Sequence, residues 1–399
     1  IASYGLMIHA GGARRLRAGT HYVLYNLLGS TLFLFALGTL YAETGTLNLA
    51  DLAVRVTQLD AADSAGIRVA AVLLLLVFAV KAALLPLHFW LPASYSEAPA
   101  PIAALFAIMT KVGAYCIIRV YTLVFGPDLA ITQGLFDTWL LPAALLTLAI
   151  GMIGVLGATR INRLVAFAVI GSMGMLLTSV AVMTPESIAA ALYYALHSTL
   201  AAAALFLLVD VIQSRRGDVA GDLSDAPPIA GSAVVAGMFF AAAIAMTGLP
   251  PLSGFIGKLM ILQAAWGDTL VVWVWAVILT GSLVAVVGFG RAGSQIFWKA
   301  HSAHIAPVEQ DEPTPQPALP LVAVGGLIAL LVAITVAAGP INRTLNATAA
   351  QLFAPEPYIA AVLETPGKVI TYGGKDDHAK DDHADDDHAD DAKTDGGDH

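Results

Sequence analysis

Residues 81–111 read KAALLPLHFWLPASYSEAPAPIAALFAIMTK, and what they form decides the fold. They follow an uncharged apolar run over residues 69–80. Lys81 therefore lies deep in what otherwise reads as a membrane helix. Pro86 comes five residues later and removes a backbone donor, which breaks a helix. His88 follows, and Lys111 stands near the middle of the next apolar run. Ammonium and imidazole groups are costly in hydrocarbon. Where they persist beside a broken helix, they mark an ion or proton path more often than an accident.

The whole composition agrees with a membrane setting. Of 399 residues, 58% are hydrophobic and only 12% charged, against about 25% charged in soluble domains. The mean hydropathy is +0.76. Uncharged runs of about 20 residues recur, the length that crosses a bilayer as a helix. The net charge of -9 belongs almost wholly to the end of the chain. Residues 375–399 hold 11 Asp and 3 Lys, and the residues before them hold 17 basic and 18 acidic side chains. No basic patch suggests nucleic acid. Cys116 is the single cysteine, so neither a disulfide nor a cysteine metal site is expected. The chain opens inside an apolar run without an initiator Met, which reads as an N-terminally incomplete piece of a longer protein.

Outward from the opening stretch, apolar runs mark a partial span at 1–10. Full spans follow at about 20–41, 67–91, 99–125, 138–158, 162–183, 186–213, 229–266, 269–298 and 318–339. The expected fold is an all-α polytopic bundle of about nine full spans plus the partial one. The run 229–266 is too long for one straight crossing, and GLPPLSG interrupts it at 248–254. Thr184 before Pro185 looks like an N-cap with proline at the first helical position, and Asp137 is a similar candidate. Alternate loops carry Arg14, Arg15 and Arg17, then Arg160 and Arg163, then Arg215 and Arg216, then Arg291 and Lys299. The intervening loops are mainly acidic. The positive-inside rule puts the basic set in the cytoplasm, and parity then sends the acidic C-terminus to the other side, the periplasm of a Gram-negative cell. The stretch PVEQDEPTPQP at 307–317 is a polar linker, residues after 340 read as interfacial, and the Asp/His tail from 366 cannot bury apolar surface.

Five residues are candidates for proton chemistry. Lys81, Lys111 and Lys258 lie at or near the middle of spans. A buried lysine must pair, lose its proton or face water; the bland alternative is snorkelling to the interface. His88 sits just past the first break and His197 near the centre of 186–213. Imidazole donates and accepts near neutral pH, although a lone histidine often only joins two helices. Lys258 closes TGLPPLSGFIGK, where Pro250 and Pro251 leave carbonyls without helical donors. Interrupted segments in two halves of a chain point to a transport site. Glu97, Asp210 and Arg119 are weaker candidates, the first two read as interfacial. The four histidines of the tail define no metal site. No Walker loop, CxxC or dinucleotide fingerprint stands out, so no cofactor is expected and ATP-driven transport is unsupported.

At this point the residues resemble a known family. KAALLPLHFWLPASYSEAPAPIAALFAIMTKVGAYCIIR and TGLPPLSGFIGKL are similar to the two signature segments of the antiporter-like subunits of respiratory complex I and of Mrp-type cation/proton antiporters. HYVLYNLLGSTLFLFALGTLYAETGTLNLADLA at 21–53 and PEPYIAAVL at 355–363 favour the D-type branch of the Mrp antiporters. The resemblance implies an inverted-repeat bundle with two broken helices. Residues 1–125 would close the first repeat, 138–298 would form the second, and 299–365 would hold the linker, last span and interfacial end. It also implies that Lys81, Lys111, Lys258, His88 and His197 line a proton relay, and that a glutamate preceding Ile1 partners the first lysine. The implied protein is no enzyme but one membrane component of a multisubunit Na⁺/H⁺ antiporter in a bacterial inner membrane. Its partners are H⁺, Na⁺ or another monovalent cation, and other Mrp membrane subunits. The alternative is a proton-pumping subunit of an NADH:quinone oxidoreductase or membrane-bound hydrogenase complex.

Overall fold

In hydrocarbon a backbone must satisfy its own hydrogen bonds, so apolar runs become helices. The computed structural model describes residues 2–9, 11–60, 64–224, 226, 229, 231–299 and 318–365. The linker at 307–317 and the Asp/His tail lie outside the described residues. The elements are α1 (Ala2–Ile8), α2 (Ala13–Thr44), α3 (Leu49–Thr57), α4 (Ala65–Lys81), α5 (Trp90–Glu97), α6 (Ala100–Leu123), α7 (Leu141–Gly157) and α8 (Ile161–Val182). The second half holds α9 (Pro185–Ser214), α10 (Ser232–Thr247), α11 (Ser253–Ala264), α12 (Val271–Gly293), α13 (Ala318–Val336), α14 (Ala338–Leu352) and α15 (Glu356–Leu363). Among the described residues there is no strand, only a bridge between Arg160 and Asp222.

Seven of these segments are long and apolar enough to cross a bilayer. The other two expected spans are the interrupted ones, α4–α5 and α10–α11. The span pattern read from hydropathy is therefore the observed one. Thr184 caps α9 as expected: its side chain accepts from Ser187 N at 3.1 Å, and Ser187 Oγ accepts from Thr184 N at 2.9 Å. Asp137 does not cap. It falls inside a π-helical turn, Leu135–Leu140, that opens with left-handed Gly134 and runs directly into α7.

Nearly all of α8 is buried, whereas α13 exposes most of its surface. α8 is thus the axis of the bundle, and its closest seam is with α7. A Cβ on Gly151 would stand 2.2 Å from Gly171 N, and one on Gly174 would stand 2.3 Å from Leu148 N. Small residues let two helix backbones approach this closely, which is how helices gain packing energy without a hydrophobic driving force.

The loops sort by charge at the two ends. At one end Arg15 Nε donates to Glu97 O at 2.6 Å. Arg160 pairs with Glu97 at 3.1 Å and with Asp222 at 3.2 Å. Asn162 Nδ2 donates to Ser96 O, and Arg291 Nη2 to Ala158 O. Glu97 is thus an ion-pair residue at this end of the bundle. At the other end α3 is capped by Asn48, whose side chain accepts from Ala50 N at 2.9 Å. Its Asp51 accepts from Arg55 at 2.9 Å, which holds the carboxyl below the usual carboxylate range. α15 packs against α3, and Arg119 at the end of α6 lies 4.4 Å over the Tyr358 ring. Asp210 is exposed near the far end of α9.

Replacing Gly151 by Val should cost about 1–3 kcal/mol or more through overpacking. Gly38, with nothing within 4 Å of a built Cβ, should accept Ala with a change within about 0.5 kcal/mol. Thermal unfolding of the purified protein measures both; equal behaviour of the two variants contradicts the seam.

Candidate functional site

Both helix interruptions begin with backbone groups that lose their partners, and side chains supply the replacements. α4 ends at Lys81 although Pro86 lies five residues on. The residue before proline avoids helical geometry, and Pro86 offers no N–H to Ala82 O. Leu84 N returns to Ala79 O, and Trp90 Nε1 donates to Val80 O at 3.0 Å. Leu85 N is taken by Thr147 Oγ1 of α7 at 2.9 Å. α6 closes over this break through Gly113, where a Cβ would stand 2.8 Å from both Phe78 O and Ala82 N.

At the second break, Pro250 and Pro251 occupy the positions whose N–H groups would serve the carbonyls of Met246 and Thr247. The Lys258 ammonium fills that gap. It donates to Thr247 O and to Ser282 Oγ, the latter at 2.7 Å. Gly248, in the left-handed region at φ 70°, makes the approach possible, because a Cβ there would lie 2.6 Å from the lysine side chain. Lys258 is buried. A cation at a helix carboxyl end is also favoured by the helix dipole.

Lys81 occupies the matching place in the first half as the last residue of α4. Its Nζ donates to Asn26 Oδ1 of α2. The Asn26 amide is oriented by its own Nδ2, which donates to Tyr22 O at 2.7 Å. That leaves the oxygen for the ammonium.

His197 is buried on α9, with Nδ1 2.9 Å from Ser253 Oγ. The Ala245 carbonyl lies beside its Nε2. Ser253 Oγ donates to Nδ1 or accepts from it according to which ring nitrogen holds the proton, so this contact suits either state of the imidazole. Gly254 leaves the room: a Cβ there would stand 2.1 Å from Ala245 O and 2.8 Å from His197 Nε2. Both Lys258 and Lys111 lie within electrostatic range of the ring.

Lys111 is buried in α6, which packs on α9, and its Nζ has no hydrogen-bond partner among the described residues. His88 is buried inside the first break against Phe89, and its Nδ1 finds no partner of good geometry there. The structure therefore draws Lys258, His197 and Lys111 into one neighbourhood, and gives Lys81 its own partner on α2. An apolar cavity of about 920 Å³ flanks the first break, lined by residues such as Leu75, Pro86 and Trp139; its lining does not suit proton traffic.

Sequence reasoning passed over Asn26, Ser253, Ser282, Thr147 and Trp90. Asn26 left a usable signal as an amide inside an otherwise apolar span. Ser253, Ser282 and Thr147 are common residue types whose partners lie 56, 24 and 62 residues away, and Trp90 reaches back 10 residues across the break; only the folded bundle makes these pairs.

Replacing Thr147 by Val keeps the shape but strands the Leu85 N–H, a loss of about 1–3 kcal/mol. The melting temperature of the variant should fall accordingly, and an unaltered value contradicts the bond.

Known proteins share this architecture. Residues 1–284 match the family described as NADH:quinone oxidoreductase/Mrp antiporter, transmembrane. The D component of a probable K⁺/H⁺ antiporter of Rhizobium meliloti is 35% identical, over 92% of this chain and 71% of its own length. The D component of the Na⁺/H⁺ antiporter of Bacillus subtilis is 37% identical, over 91% of this chain and 71% of its own. Among solved structures, the Mrp complex of a Dietzia species aligns with a TM-score of 0.75 at 26% identity, covering 91% of this chain and 74% of that one. Respiratory complex I of Thermus thermophilus aligns with a TM-score of 0.73 at 26% identity, covering 88% and 72%. With a family match across most of its helices and relatives aligned along nearly its whole length, the chain belongs to the NADH:quinone oxidoreductase/Mrp antiporter transmembrane family.

Proposed function

We propose that this chain is the proton-translocating membrane subunit of a multisubunit monovalent cation/proton antiporter of a bacterial cytoplasmic membrane, where it works beside other antiporter membrane subunits. The observation that carries the reading is the buried Lys111 ammonium, without a hydrogen-bond partner among the described residues and in a neighbourhood that already holds His197 and Lys258. An uncompensated ammonium in a membrane interior is expensive, and a scaffold would do better with leucine there. Its persistence is explained if the charge comes and goes.

In the proposed relay a proton reaches the Lys258–His197 pair. Protonation of His197 raises the local positive charge and favours proton release from Lys111. That proton passes through water toward Lys81, and Asn26 holds the Lys81 ammonium in place. His88, inside the first break, offers a further stop. Residues 1–125 would close one inverted repeat and 138–298 would form the other. The basic loops around Arg14–Arg17, Arg160 and Arg216 face the cytoplasm in this reading, and the acidic tail faces the periplasm. Na⁺ is the proposed counter-cation, with K⁺ a second reading favoured by the name of the Rhizobium relative. A proton-pumping role in a redox-driven complex is the other reading, favoured by the Thermus alignment. Mass spectrometry of co-purifying subunits separates them: small membrane subunits alone, or flavin and iron–sulfur proteins.

Arginine keeps the charge of lysine but does not release its proton. In the intact assembly, Lys111→Arg and Lys81→Ala should therefore each lower cation-driven proton movement by at least about a hundredfold, the low end of general acid–base contributions. Assembly should be retained. Fluorescence dequenching in everted vesicles measures this, and undiminished exchange in Lys111→Arg overturns the relay.

A further inference from the structure

Beside the ion-paired end of the bundle lies a second cavity, of about 560 Å³, unlike the first in chemistry. Arg14, Arg17 and His21 reach it from α2, Arg160 and Arg163 from the start of α8, and Glu97 from the end of α5. Glu97 is its one carboxylate, and it is already answered by Arg160. The guanidiniums of Arg14, Arg17 and Arg163 have no ion-pair or hydrogen-bond partner among the described residues, and all three residues are exposed. Three unanswered guanidiniums around one hollow repel each other, and an anion placed between them would remove that repulsion.

The surface below the hollow says which anion. Positions 14, 17, 21, 24 and 28 of α2 share one helical face. Its first three residues are cationic or imidazole, and the next two are Leu24 at 57% exposure and Leu28 at 52%. Phe89, on the cavity wall, is 64% exposed. A basic hollow at the end of a membrane span, continuous with an outward apolar stripe, fits a molecule with a phosphate at one end and acyl chains at the other.

We infer that this hollow binds the headgroup phosphate of an anionic phospholipid through Arg14, Arg17 and Arg163, with the acyl chains laid along the Leu24 and Leu28 face of α2. Arg160, held by Glu97 and Asp222, fixes the wall rather than the ligand. The site is separate from the proposed relay residues and does not depend on their role.

The test uses the whole purified assembly in discs of phosphatidylcholine doped with a minority of phosphatidylglycerol. After the discs are dissolved in mild detergent, native mass spectrometry counts the phosphatidylglycerol retained. Arg14→Gln/Arg17→Gln/Arg163→Gln should weaken retention by about a hundredfold, from the usual contribution of each basic residue near a lipid surface. The corresponding triple lysine variant should restore most of it. Because the three side chains are exposed and unpartnered among the described residues, the variants should assemble; Arg17→Gln alone gives a smaller loss and a milder check. Three outcomes overturn the inference: equal retention in the glutamine variant, displacement of the lipid by inorganic phosphate alone, and occupation of the hollow by an acidic segment of a neighbouring subunit.

Discussion

An ammonium set against the carboxyl end of an interrupted helix is the interaction on which the interior depends. α10 stops at Thr247 because two prolines withhold the next donors, and Lys258 supplies one instead. α4 stops at Lys81, so that lysine stands on the carbonyl-rich end of its own half-helix. In water either arrangement would be worth a few tenths of a kcal/mol. In a membrane interior the Lys258 arrangement solves two problems together, an orphan carbonyl end and an unsolvated cation, that would be costly apart, whereas the Lys81 ammonium is answered by the Asn26 amide.

The rest of the bundle holds those ends in register. Glycines at 113, 248 and 254 clear the space where α6 meets the first break, where Lys258 passes, and where His197 meets α11. Trp90 and Thr147 close the first break with one hydrogen bond each. Tyr121 adds a tie from α6 to Ala71 O of α4. Each is an ordinary contact, but together they fix where irregular backbone is tolerated.

Much of this was legible in the residues. Span number and the two interruptions follow from hydropathy and proline, since these are local properties. The lysines stood out because charge inside an apolar run is rare. The side of the break on which each lysine acts was not legible. Lys81 precedes its proline and Lys258 follows its pair, yet both end at a helix carboxyl terminus, because Lys258 folds back over Gly248. Partner identity was hidden for a related reason. Asn26 and Lys81 are 55 residues apart, and His197 and Ser253 are 56 apart. Pairing at that range depends on helix packing, which no local pattern encodes. Asp137 misled because a π-helical turn, not a fresh helix start, leads into α7.

None of the three buried or half-buried lysines meets a carboxylate among the described residues; the groups that accept from them are an amide, a hydroxyl and a carbonyl. Nor do those residues hold any group of three His, Cys, Asp or Glu side chains fit to grip a metal. Neutral partners let a lysine shed its proton without stranding an anion beside it. The same neutrality means that a bare alkali metal ion set beside these side chains would meet repulsion from every charged lysine and no compensating carboxylate among the described residues.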